Sequence, residues 1–249
     1  MVAGDTSVSY KAKVAVLRAL RSAGYELNSI DQTPQEKFRR ETEPILERRA
    51  QQTVDDVHAL QRKYDAPVFG EIPMWDVVNM LAHVIDRADP FLMNVSQEVH
   101  TLQVVEGLID EGVDDTVLLA GVIHDVGKVL DLFDEDPANI FGTTEPIGSY
   151  EPGIGLDQCV FQWGADEFGY SRIAGRVPDH VGWLVRYHSL VPERCEHLMD
   201  ERDREYFDKY WRQLNRLDHA TKSMSRTPRT RLADYRPLVD DAFPEPIPF

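Results

Sequence analysis

From Glu43 onward the apolar positions of the chain recur at helical spacing. Ile45, Ala50, Val54, Val57 and Leu60 predict one helix, which Asp65-Ala66-Pro67 ends. Pro73 is placed to open a second, running through Val77, Leu81 and Ile85 and stopping at Asp89-Pro90. Ser96 is a ready N-cap for a third, which carries His100, Leu102, Val105 and Leu108. Asp114 or Asp115 caps a fourth, Val117 to Ile123, which is apolar almost all round and is therefore expected at the centre. Helices are expected again over Leu156–Ala174, Asp179–Ser189 and Asp200–Lys222. Between them, Asp134 to Gly155 is rich in Gly, Pro, Thr and Ser without a sustained period. It reads as a long loop, and such loops in compact domains often carry function.

The ends of the chain fit this pattern less well. Residues 1–42 read as a polar arm, with a short helix at Val14–Leu20 and a charged connector from Asn28 to Arg40. Residues 43–249 read as one helical domain, closed by an extended Pro-rich tail from Pro228 that includes a short helix. No repeat and no alternating strand pattern of any length is present, so the expected fold class is all-α.

Composition narrows the partners. The chain has 249 residues, 42% of them hydrophobic, enough for a buried core. Its 43 acidic residues outnumber 27 basic ones, for a net charge of −16, which repels nucleic-acid backbones and anionic membranes. Two cysteines, Cys159 and Cys195, exclude a disulfide scaffold and a thiolate zinc site, and fit a reducing, cytoplasmic setting. No apolar run follows Met1 and none approaches a membrane span, so neither a signal peptide nor a membrane helix is expected.

Any metal must then be held by histidine and carboxylate. Ile123-His124-Asp125-Val126-Gly127-Lys128 closes the apolar helix with a polar doublet, which is costly to bury without a partner. With His100 upstream and Asp218 downstream it forms a candidate site, since a helix bundle can bring such positions together in its core. Mixed nitrogen and oxygen donors suit iron, manganese or zinc. Any one of these residues alone would more often be an ordinary core or solvated side chain.

The order His, His-Asp, His, Asp resembles the HD-domain superfamily. Longer stretches resemble its oxygenase branch, the myo-inositol oxygenase family: Gln52-Thr53-Val54-Asp55, the Asp86 to Pro90 segment, His124 to Leu130, Gly153 to Asp157, Gln162 to Phe168, Arg186-Tyr187-His188-Ser189 and Leu217 to Lys222. The resemblance runs in unbroken order from about Gln51 to Lys222. It implies an HD-type helical bundle with the metal in its core, and a non-haem iron enzyme that cleaves a cyclic polyol with O2, giving a sugar acid. Two irons would share Asp125, one also taking His100, His124 and Asp218, the other His188 and a further histidine. Lys128, Lys222, Ser189 and Asp86 would contact substrate, as would Gly142 and Thr143. Lys128 and Asp125 would carry the catalytic role, and a monomer acting on a small molecule is expected.

Two departures matter. The family's Trp-Gly-His-Asp-Glu reads Trp163-Gly164-Ala165-Asp166-Glu167, so one iron-ligand histidine is replaced by Ala165. Two irons are expected only if another group substitutes, otherwise one. Asp166, Glu167 and His180 are the nearest candidates. The first two have family counterparts that are not ligands, and His180 would lie about 12 Å from His188 along one helix. The family's Gly-Asp pair in the substrate loop reads Gly142-Thr143, followed by Glu145 where the family is apolar. These changes keep two other readings open: a metal-dependent phosphohydrolase of the wider superfamily, and a non-catalytic relative that keeps one metal.

Overall fold

Where one helix was expected from Glu43, two form: α1 (Glu43–Arg49) and α2 (Val54–Lys63). The break lies in Thr53. Its hydroxyl accepts the Asp56 N–H while the Asp56 carboxylate accepts the Thr53 N–H, a capping box that starts a new helix. The computed structural model describes residues 38–89, 91–92 and 95–249; the expected helix at Val14–Leu20 and most of the Asn28–Arg40 connector lie outside the described residues.

Helix α3 (Met74–Met80) has Pro73 as its cap and finishes in a 3-10 turn at Leu81–His83, short of the expected Ile85. The chain leaves the helix because its groups are used elsewhere. Val84 O accepts the Gln97 N–H, Ile85 bridges Ser96, and the Asp86 carboxylate accepts the Ala88 N–H. Ser96 does cap α4 (Gln97–Asp110), and Asp114 caps α5 (Asp115–Ile123) by accepting the Thr116 and Val117 N–H groups. Helix α5 is buried along most of its length, Val117 and Leu119 to Ile123, and packs between α4 and the later helix α7, as its composition implies.

After α5 the chain runs through a 3-10 segment, Val126–Phe133, and then the long loop. Helix α6 covers Ala165–Ile173, not the expected Leu156–Ala174; only Leu156–Gln158 adds a 3-10 turn. Residues 159–162 are spent on the loop: Ile147 N donates to Val160 O, Gln162 N donates to Glu145 O, and Phe161 bridges Pro146. Next come α7 (Asp179–Tyr187), α8 (Glu201–Tyr206), a π-helical turn at Phe207–Trp211 and α9 (Arg212–Ala220). Helix α6 packs on the Val126–Phe133 segment and on α7, and α9 packs on α4. The site is built where these faces meet.

The C-terminal tail carries the expected short helix and packs against the core. It makes a 3-10 turn at Leu232–Tyr235, helix α10 (Arg236–Ala242), and strand β2 (Ile247–Pro248), antiparallel to β1 (Glu71–Ile72). Leu232, Tyr235, Val239, Phe243, Ile247 and Phe249 are all buried, and the Phe249 ring stands edge-on to Phe168 at 5.4 Å. Apart from this two-stranded pair and isolated bridges the regular structure of the described residues is helical, so the all-α expectation holds. No described helix is long and apolar enough to cross a membrane. Cys159 and Cys195 are buried and free.

One carboxylate ties the tail to α4. Glu106 is fully buried and accepts from Arg229 N, Thr230 N, the Thr230 hydroxyl and the Arg226 guanidinium. Burial opposes its charge, but these donors hold its pKa below the ordinary range. Glu106→Gln keeps the size and loses the charge, leaving strong donors poorly matched. It should cost about 2–3 kcal/mol, measured as a lower urea midpoint at unchanged slope.

Candidate metal centre

Two histidines end helices and are aimed by the same device. His124 follows α5 and its Nδ1 bonds Gly121 O at 2.8 Å; His188 follows α7 and its Nδ1 bonds Val185 O at 3.0 Å. A ring nitrogen facing a carbonyl carries the proton, which leaves Nε2 with its lone pair toward the interior. Both rings are buried, as are His100 on α4 and Asp218 on α9.

These Nε2 atoms converge on Asp125. Its Oδ2 lies 3.2 Å from His124 Nε2 and 3.7 Å from His100 Nε2, while its Oδ1 lies 3.4 Å from His188 Nε2. Asp218 Oδ1 lies 2.9 Å from His100 Nε2. Yet His124 Nε2, Asp125 Oδ1 and Asp218 Oδ1 are buried without a hydrogen-bond partner. Unsatisfied buried acceptors brought this close are costly, unless a cation sits among them. Donor atoms of His100, His124 and Asp218 lie within 4.8 Å of one another, and so do those of His124, Asp125 and His188. The donor set therefore fits a metal, and its mixed nitrogen and oxygen character suits iron, manganese or zinc.

Three of the charge states agree with a metal; at His188 burial opposes the charge, but Asp166 and Asp125 outweigh it and push the pKa up to about 9, so a metal bound there must displace a proton. Burial pushes His100 below the usual imidazole range, toward the neutral form that binds metal. Burial opposes ionisation of Asp125, but His124 and Lys128 outweigh it and hold the carboxyl well below its ordinary value. Asp218 is held down likewise, by His100 and Lys222 against its burial.

Above the cluster opens a cavity of about 290 Å³, a volume suited to one small molecule. Asp86, Lys128, Lys222, Ser189, Gly142 and Thr143, expected at a substrate site, all line it. Lys128 Nζ donates to Asp86 Oδ2 at 2.8 Å, Asp125 Oδ2 at 3.0 Å and Gln97 Oε1 at 3.2 Å. Burial disfavours its charge, but the Asp125 and Asp86 carboxylates push its pKa above the ordinary ammonium value. Lys222 Nζ donates to Asp89 Oδ2 at 2.7 Å and stands 3.7 Å from Asp218 Oδ1. Thr143 is exposed at the rim. Gly142 has φ near +106°, and a Cβ there would meet Arg49 Cδ at 2.8 Å, so the loop needs glycine at that point.

Of the three residues weighed as a substitute for the missing histidine, two point elsewhere. Glu167 is paired with Arg186, and His180 faces the Thr116 hydroxyl and stacks on Tyr210. Ala165 is buried and offers only a methyl group. Asp166 lines the cavity, its Oδ1 3.7 Å from His188 Nε2.

Sequence reasoning missed Arg49 and Thr144. Buried Arg49 donates to Thr143 O, Trp163 O and the Thr144 hydroxyl, and Thr144 donates to Asp166 Oδ2. Together they fix the loop at 142–144 against the start of α6. A signal was present: Arg49 stands four residues after buried Ile45, on the face of α1 that should be apolar.

A family model described as myo-inositol oxygenase matches residues 40–149 and 140–249. The chain is 27% identical over 232 residues to an inositol oxygenase of Danio rerio, covering 78% of this chain and 83% of that protein. It is 29% identical over 234 residues to a probable inositol oxygenase of Oryza sativa subsp. japonica, covering 78% and 75%. It is 30% identical over 215 residues to inositol oxygenase 1 of Arabidopsis thaliana, covering 70% and 68%.

Proposed function

The chain belongs to the myo-inositol oxygenase family and is an oxidoreductase, and from that premise we propose that it uses iron and O2 to open the ring of a cyclic polyol such as inositol. The observation that carries the reading is the cavity's charge. Asp86, Asp89, Asp125, Asp166 and Asp218 line it together with two lysines, Lys128 and Lys222, each already paired with carboxylates. Beyond a bound metal itself, a phosphate ester would find no lysine free of a carboxylate among the described lining residues, which gives the phosphohydrolase reading less support. A neutral polyol instead meets both hydrogen-bond acceptors and donors.

Iron bound by His100, His124, Asp125 and Asp218 would supply the redox chemistry. The protein's own residues would do the rest. Asp86 is placed to accept a hydrogen bond from a polyol hydroxyl. Lys128 stays an ammonium, and a cation beside a polyol oxygen lowers the cost of removing that oxygen's proton. Asp125 presents one oxygen to each side of the cluster. Gly142 and Thr143 bring loop backbone to the rim, where a bound ring would be shielded from water.

The test is direct. Chain purified anaerobically and loaded with ferrous iron should consume O2 when given myo-inositol and release a ring-opened sugar acid, identified by mass. It should leave phosphate monoesters intact. Phosphate release without O2 uptake would reverse the reading.

A further inference from the structure

Position 165 supplies no donor, yet the far side of Asp125 is not bare. Asp125 Oδ1 and His188 Nε2 stand 3.4 Å apart, and Asp166 Oδ1 stands 3.7 Å from the same nitrogen. Those separations are too long for good hydrogen bonds. Ligands about 2.1 Å from one ion, at angles of roughly 90–120°, are separated by roughly 3.0–3.7 Å, which matches.

The carboxylate of Asp166 is also oriented as a ligand would be. Its Oδ2 accepts from the Ser189 hydroxyl and, at 3.1 Å, from the Thr144 hydroxyl, which Arg49 holds in turn. That locks the group by one oxygen and leaves the other facing His188. Hydrogen bonds of this kind are what fix the orientation of carboxylate ligands. Asp166 is buried, and its one ion-pair contact among the described residues is His188. With a methyl at Ala165 in place of a ring, nothing from that position competes for the space.

We infer that Asp166 is the third protein ligand of a second metal position, completed by His188 and Asp125, so that the chain holds two ions despite Ala165. This inference rests on the metal reading above and changes the second position's character. Two carboxylates and one imidazole make a harder, more negative donor set than two imidazoles and one carboxylate.

The test is metal content per folded chain after anaerobic loading with ferrous iron and removal of excess. Wild type should hold two irons. Asp166→Asn keeps the size and an oxygen for Ser189 and Thr144 but weakens the donor, and Asp166→Ala removes it; both should hold one. His188→Ala should also fall to one. One iron in wild type, or two in both Asp166 variants, overturns the inference, as does loss of both irons in folded Asp166→Asn. Wild type with two irons but no action on myo-inositol would leave the ligand set standing and sink the substrate reading instead.

Discussion

Replacing His124 with alanine should strip the chain of the metal it shares with His100, Asp125 and Asp218. His124 Nε2 faces Asp125 Oδ2 at 3.2 Å and has no hydrogen-bond partner, while Nδ1 is committed to Gly121 O. The imidazole therefore has one free nitrogen, and it points at the cluster. Loss of a residue that only orients a ligand typically costs about 10–100-fold in metal affinity, and loss of a ligand should cost at least that much. Lys128→Ala should behave differently. It touches Asp125 but, as an ammonium, offers no lone pair, so the metal should remain. What goes is a charged donor to the proposed polyol, a loss of about 1.5–3 kcal/mol, read as a rise in KM of roughly 10–100-fold. Elemental analysis and steady-state kinetics on the two variants separate the roles. Unchanged metal content in folded His124→Ala would refute the ligand assignment.

How the sequence exposed this site follows from what local signals encode. Ser96 and Asp114 cap their helices as expected because capping is a contact within three residues. The His124-Asp125 doublet was conspicuous because it closes a helix with no other polar side chain after Thr116. What stayed hidden depends on distant partners. Val160 and Phe161 continue an apolar run that reads as helix, but their backbone is claimed by Glu145, Pro146 and Ile147. Phe243, Ile247 and Phe249 sit among prolines without a period, and only pairing with Glu71–Ile72 shows them to be core. His180 and Asp166 were both weak candidates on paper, the first by its spacing and the second because its family counterpart is not a ligand. Helix α7 carries His180 to Tyr210, whereas the first turn of α6 places Asp166 beside His188. Spacing along one helix excluded the first, but only tertiary packing could favour the second.

That packing depends on Gly127, where the largest stability effect is expected. A Cβ at this position would lie 1.9 Å from Ala165 O, 2.6 Å from Ala165 C and 2.9 Å from Gly169 N. All three are backbone atoms, so no side chain can swing aside. The segment Val126–Phe133 and helix α6 are in backbone contact here, and the contact sets Asp125 and Lys128 against Asp166 and His188. Gly127→Ala must push the two apart. Overpacking of this kind costs about 3 kcal/mol or more, roughly a 6–12 °C fall in Tm for a domain of this size. Gly182→Ala on α7 is the matched control. Its added Cβ would meet Tyr170 Cε2 at 3.4 Å, an ordinary contact, and alanine is the better helix former by about 1 kcal/mol. One glycine substitution should therefore lower Tm and metal content together, and the other should hold or raise Tm with metal content unchanged. Equal Tm values would mean that the two walls of the cavity can separate freely, and that the alignment of Asp166 with His188 does not depend on their contact.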